Sequence, residues 1–247
     1  MAPSRPVPSS PLSISARALS SRSGLERVLR DLGPQIRRGD APALAPGRCP
    51  TGIAAVDALL DGGFPRGRLS EIVGGPSSGR TALARALLAG ATRAGEVVGM
   101  IDAADAFDPA SAADAGIELE RVLWVRAPHV HAALRSAERL LQARGFPLVL
   151  IDLAGAPGAL HSDAPTAWSR LARAAAGAEA ALVVLAGRRL AGASAELALE
   201  MRPRRARFTG TPALLEGLEV EAVLARTRRG AEGRAAPIGL RVADPAA

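Results

Sequence analysis

The sequence predicts an α/β fold with a mostly parallel central sheet. Three observations carry this prediction. Short continuous apolar runs alternate with helical patterns, as expected of strands buried on both faces. A glycine-rich turn ending in a basic residue follows one run directly and opens a helix. Another run ends in a carboxylate, Asp152. Hydrophobic residues make up 48% of the 247 residues, enough for one core of ordinary domain size.

The elements follow in chain order. Residues 1–22 are rich in Pro, Ser and Arg and predict a flexible N-terminal arm. Leu25, Val28, Leu29, Leu32 and Ile36 recur at the spacing of an amphipathic helix. That helix is a candidate surface for a partner chain. Gly33-Pro34 should break or kink it, and residues 39–50 read as a linker, so 23–50 forms a helix-and-linker segment. The core domain would span 51–247. In it, Thr51 can cap a short helix, Ile53–Leu60, ended by Asp61-Gly62-Gly63. Strands are predicted at Leu69–Val73, Val97–Ile101, Val122–Val125, Leu148–Ile151 and Ala181–Leu185. Helices are predicted at Thr81–Ala94, His131–Arg144 and Thr166–Ala176. After Gly187 the apolar residues alternate: Leu197, Leu199, Met201, then Val220, Ala222, Leu224. These predict antiparallel strands at one edge, before a last strand at Ile238–Val242.

Composition narrows the function classes. Aromatics are 2% and Tyr is absent, so a row of aromatic side chains for stacking bases is almost unavailable. All 31 basic residues are Arg, against 24 acids, for a net charge of +7. That balance suits a polyanion such as single-stranded DNA. An Arg-only composition also arises from a GC-rich genome. Arg188, Arg189, Arg202, Arg204, Arg205 and Arg207 are the candidate phosphate contacts; the rival reading is a solvated Arg-rich edge strand. The single cysteine, Cys49, excludes a disulfide framework or a Cys-based zinc site within the chain. A reducing cytoplasm is the expected location, and no apolar run is long enough to cross a membrane. His129, His131 and His161 lack metal-ligand spacing, and Trp124 and Trp168 are expected in the core.

The strongest motif is Gly74-Gly75-Pro76-Ser77-Ser78-Gly79-Arg80-Thr81. Glycines let successive backbone N–H groups turn inward around an anion, and the helix N-terminus adds its positive end. Thr81 and Asp152 are the pair that would hold a magnesium ion beside ATP. The usual Lys of such a loop is Arg80, which exchanges a compact ammonium for a broad planar fork. The expectation is an ancestral phosphate loop with weakened nucleotide binding.

Further residues extend the motif into a family pattern. Thr51-Gly52-Ile53, Val56-Asp57, Leu59-Leu60, Gly62-Gly63-Phe64-Pro65-Arg66-Gly67-Arg68-Leu69, Glu71-Ile72, the phosphate loop, Ile101-Asp102-Ala103 and Asp108-Pro109 together resemble the RecA recombinase family. The resemblance runs from about Leu25 to about Val242 and is densest up to Asp108. It implies a RecA-like P-loop core, ATP and magnesium, an N-terminal helix that packs on a neighbouring subunit, and DNA-facing loops after Asp152 and after Leu185. It also implies basic residues at Arg226, Arg228 and Arg229 facing a neighbour's nucleotide.

The departures are specific. Ala104 stands where RecA proteins carry a catalytic Glu, and Asp105 comes one residue late. The second DNA loop is shortened to Ala186–Gly192, without a glutamine. A counterpart of the RecA C-terminal domain is expected to be absent, since the resemblance stops near Val242. A RecA core without its hydrolytic residues is similar to the ImuA-type accessory proteins of damage-induced mutagenesis. That likeness implies an ImuB-like protein or a mutagenesis polymerase as partner. The rival expectation is an active DNA-dependent ATPase of the recombinase type.

Overall fold

The computed structural model describes residues 12–15, 24, 27, 47–156, 164–228 and 231–241. Its centre is a nine-stranded sheet in the order β1-β6-β5-β7-β8-β4-β9-β10-β11. The strands are β1 (Leu12–Ser15), β4 (Arg68–Val73), β5 (Val98–Asp102), β6 (Val122–Arg126), β7 (Leu148–Asp152), β8 (Ala181–Ala186), β9 (Leu197–Thr209), β10 (Leu214–Thr227) and β11 (Ala235–Arg241). A small ladder pairs β2 (Arg48–Cys49) with β3 (Phe64–Pro65). From β1 to β9 every neighbouring pair is parallel, and the β9–β10 and β10–β11 pairs are antiparallel.

Helices cover both faces, which is why β5, β7 and β8 are buried at every residue. On one face lie α1 (Ala54–Leu59), α2 (Arg80–Arg93) and α3 (Pro109–Asp114). There Val56, Leu83, Leu87, Val98, Leu148, Val183 and Leu199 share one apolar cluster. On the other lie α4 (Val130–Ala143) and α5 (Ala164–Ala178), whose Leu134, Leu140, Trp168 and Leu171 pack on Ile101, Val149 and Val184. The stripe Leu134, Ala137, Leu140, Leu141 is buried as its spacing requires.

The predicted core helices and the strands up to β8 occur within two residues of their expected bounds, and the last strand begins at Ala235, three residues before the expected Ile238; two expectations need correction. The arm expected over 1–22 contributes a parallel edge strand at Leu12–Ser15, in register with Leu123–Arg126. Its Leu-Ser-Ile-Ser sequence alternates with strand period, and it satisfies the outer backbone groups of β6. The linker expected over 39–50 ends in β2. The antiparallel edge strands expected after Gly187 are present as β9–β10–β11, and β9 joins them to the sheet by running parallel to β4. The connection Gly187–Glu196 accounts for this. It leaves the carboxyl end of β8 and brings the chain back to the start of β4, so β9 sets off in β4's own direction. The candidate partner-binding residues Leu25, Val28, Leu29 and Leu32 lie outside the described residues, as do His161 and Arg229; the described Gly24 and Arg27 are helical.

Candidate functional site

The carboxyl ends of β4, β5 and β7 come together at one edge of the parallel sheet, the edge where open α/β sheets bind ligands. After β4 the chain makes the glycine-rich turn. Gly74 has no room for a side chain: a Cβ there would lie 2.7 Å from the Met201 carbonyl oxygen. Ser77 and Gly79 take left-handed φ values of 57° and 84°, which turn backbone N–H groups inward before α2 begins at Arg80. Gly75, Pro76 and Ser77 are exposed, Ser78 is buried, and Thr81 is exposed on the first turn of α2. The strand, glycine-rich turn and helix follow one another in the order the sequence predicts.

The turn's side chains are arranged differently from a cradle awaiting phosphate. The Arg80 guanidinium donates from Nη1 to the Gly74 carbonyl, folding back onto the loop that precedes it, and its Nε is buried without a hydrogen-bond partner. The planar fork thus caps the loop's own backbone. Asp152, at the end of β7, is 7% exposed and accepts from the Ala154 N–H at 2.8 Å. Burial pushes its carboxyl up to about 6, the neighbouring Asp102 adds to that, and Arg80 and the Ala154 N–H oppose it.

Asp102, level with Asp152 in the β5–β7 register, is buried and organises the next turn. It accepts from the N–H groups of Ala104 (3.1 Å), Ala106 (3.1 Å) and Phe107 (2.8 Å). This winding leaves Asp105 at φ 53° and exposed. Both of its oxygens accept from Arg126, from Nε and Nη2 at 2.8 Å each. The Arg126 side-chain hydrogen bonds hold the Asp105 carboxyl below its ordinary range. Arg126 in turn lies over the Trp124 ring, 5.4 Å from its centroid, and Trp124 meets Phe107 at 5.3 Å. Asp105 is thus committed to β6, and the position of the expected catalytic Glu is the methyl group of Ala104.

The shortened second loop is held down rather than projecting. Glu71, buried in the middle of β4, accepts at Oε1 from the N–H groups of Leu190 (2.6 Å) and Ala191 (2.8 Å). Arg226 Nε donates to the Ala195 carbonyl at 3.2 Å, and Arg228 Nη2 donates to that of Ala193. These two arginines, expected across a subunit boundary, thus secure a loop of their own chain. Arg188 and Arg189 are exposed, and Arg189 reaches the Ala225 carbonyl at 3.4 Å. Part of the first expected loop, residues 157–163, lies outside the described residues.

Arg202, Arg204, Arg205 and Arg207 stand together on β9, but with acids among them. Arg202 pairs with Glu200 (3.0 Å), Arg204 with Glu221 (2.5 Å), and Arg207 with Glu216 and Glu219 (3.6 Å each). Among the described residues no cluster of His, Cys, Asp and Glu could hold a metal ion, and no helix is long and apolar enough to cross a membrane. Cys49 is buried and its thiol is pushed up to about 12 by that burial.

Sequence reasoning missed Glu71 as an anchor and the Asp105–Arg126 clamp. The signal for Glu71 was present: an acid inside a strand that is otherwise buried must have a partner. The clamp carries no local signal, because its members lie on different elements.

Comparison with known proteins agrees with this architecture. Residues 26–197 match the family profile described as the RecA N-terminal domain. Protein RecA of Picosynechococcus sp. is 35% identical over 130 residues, which are 52% of this chain and 37% of that protein. Protein RecA of Thermus thermophilus is 35% identical over 149 residues, 57% of this chain and 44% of that one. The chain thus matches less than half the length of these relatives. The crystal structure of the RadB recombinase superposes with a TM-score of 0.61 at 20% identity, covering 76% of this chain and 94% of that one. At that identity the likeness speaks to the fold, and the fold is the same. The chain belongs to the RecA family, matched by the RecA N-terminal domain over most of its described core.

Proposed function

We propose that this protein is a RecA-like accessory factor of DNA repair, of the ImuA type, acting through protein and single-stranded DNA binding rather than through ATP turnover. The observation that carries the proposal is the Arg80 guanidinium hydrogen-bonded to the Gly74 carbonyl of its own phosphate loop. A lysine ammonium in that place is a mobile point charge. The arginine fork is engaged with the backbone it should leave free.

The backbone cradle from Gly74 to Gly79, with Thr81 and Asp152, suits a nucleotide and magnesium in shape. When bound, the ion would supply charge neutralisation at the phosphates. The chain's own groups favour holding over hydrolysis. Ala104 offers no carboxylate to orient water, and Asp105 is engaged by Arg126. Loss of one positioned electrostatic group costs about 10²–10³ in rate.

DNA contact is assigned to Arg188, Arg189 and the β9 arginines, and a cytoplasmic location follows from that partner. Protein contact is assigned to the N-terminal segment, with Leu25, Val28, Leu29 and Leu32 as the candidate residues and a mutagenesis polymerase, an ImuB-like protein or another RecA-type subunit as the partner. The test of the site is nucleotide binding by wild type, Arg80→Lys, Ala104→Glu and the double variant. Arg80→Lys is expected to tighten binding. Equal affinity of wild type and Arg80→Lys would remove Arg80 as the cause. The rival recombinase reading predicts tight binding by the wild type.

A further inference from the structure

The β9–β10 hairpin runs well past the sheet. β4 pairs only with Leu197–Glu200 of β9, and β11 reaches only to Gly217 of β10. Arg202–Arg207 of β9 therefore form the outer strand of a three-stranded flap with β10 and β11, and beyond Arg207 and Gly217 the hairpin runs on alone, so that Phe208–Leu215 make its free tip. Its tip carries Phe208, Leu214 and Leu215, which are 62%, 66% and 42% exposed and are the large exposed apolar residues of the described chain.

The register sorts the ribbon into two faces. Phe208 stands opposite Leu215, Ala206 opposite Leu218, and Pro203 opposite Val220. Directly opposed residues share a face, so these form one apolar row running from the buried Val220 out to Phe208. Arg205 and Arg207 lie on the other face, opposite Glu219 and Gly217. From Arg202 to Leu215 the ribbon has four arginines and no acid. The acids that meet these arginines are Glu200 on β9 and Glu216, Glu219 and Glu221 on β10, and every pair has an arginine at least half exposed. Exposed pairs of this kind contribute little and exchange readily for phosphate oxygens.

We infer that this ribbon is a DNA wedge, in which Phe208 and Leu215 stack against or between unpaired bases while Arg204, Arg205 and Arg207 hold the flanking phosphates. The inference rests on the DNA-binding part of the proposed function and adds to it the groups that touch bases. Charge favours DNA as the occupant: β9 carries four arginines up to the apolar tip, those in ion pairs stay at least half exposed, and the whole chain has a net charge of +7. Protruding ribbons with apolar wedges are an established way to unstack bases. The scarcity of aromatics does not oppose it, because a wedge needs one ring and this chain exposes Phe208.

The experiment measures binding of the full chain to a mixed-sequence single-stranded oligonucleotide carrying 2-aminopurine, by anisotropy and by base fluorescence over a salt series. Wild type is expected to bind and to change the 2-aminopurine fluorescence. The double variant Phe208→Ala, Leu215→Ala should bind about tenfold more weakly, lose the fluorescence change and keep the salt slope. The triple variant Arg204→Ser, Arg205→Ser, Arg207→Ser should flatten that slope. Thermal melting of both variants should match wild type, since the altered side chains are exposed. An apolar double variant that retains wild-type affinity and fluorescence change, beside a triple variant with a flattened slope, overturns the wedge and leaves DNA binding standing. Absence of DNA binding by wild type at low salt overturns both, and the tip is then a protein-docking surface.

Discussion

Replacing Glu71 should loosen the loop that joins β8 to β9. The carboxylate lies at 0% exposure within β4 and takes the Leu190 and Ala191 N–H groups at 2.6 and 2.8 Å. Hydrogen bonds to a charged acceptor contribute roughly 1.5–3 kcal/mol each. Against that stands the cost of burying the charge, with Oε2 lacking any partner. Glu71→Ala abandons both N–H groups, one of them in the buried Ala191, and should cost about 2–4 kcal/mol. Glu71→Gln keeps a carbonyl acceptor and removes the buried charge, so its cost should stay near 1 kcal/mol or less. Urea unfolding of the three proteins reads the global cost. Hydrogen exchange at the Leu190 and Ala191 amides reads the loop directly, and both should lose protection in Glu71→Ala. Unfolding midpoints that coincide, with those two amides still protected, would refute the anchoring role.

Three further outcomes are expected. Asp152 has its carboxyl raised from 3.8 to about 6 in the fold, so its contribution to stability is fully present below about pH 3.8 and is lost as pH rises through about 6. Asp152→Asn, which carries no charge to bury, should therefore stabilise the protein at pH 7 by about 2–3 kcal/mol and change little at pH 4; a thermal melt series across that range decides it. Gly79→Ala places a side chain at φ 84° with its Cβ 2.6 Å from Leu240 Cδ1, and should cost about 1–2 kcal/mol by urea unfolding. A thiol reagent at pH 8 should leave native Cys49 untouched and modify it in denaturant, because the buried thiol is raised to about 12.

The parallel core was legible because its strands are continuous apolar runs and its helices keep a strict apolar stripe. The phosphate loop was legible because glycine spacing, a preceding strand and a following helix all agree. What escaped depends on chain path rather than local pattern. Nothing in Leu197–Met201 records that the preceding loop doubles back, so the alternation gave the antiparallel edge but not the parallel pairing of β9 with β4. Leu12–Ser15 sits in a Pro- and Ser-rich stretch whose composition outweighed four alternating residues. The arginines of β9 were read as a basic run because their acids, Glu216, Glu219 and Glu221, arrive from another strand. Asp105 was correctly placed one residue late, but only the fold joins it to Arg126, 21 positions on.

The central claim is that a RecA-family core here holds partners without turning over ATP. Its most direct test is steady-state phosphate release by the purified full chain with ATP and magnesium, with and without single-stranded DNA, beside the Arg80→Lys, Ala104→Glu double variant. The arrangement of Arg80, Ala104 and Asp105 predicts background release by the wild type in both conditions, at least about 10²-fold below an active enzyme of this fold. Release stimulated by single-stranded DNA well above background would contradict the account and make the chain an active recombinase-type ATPase.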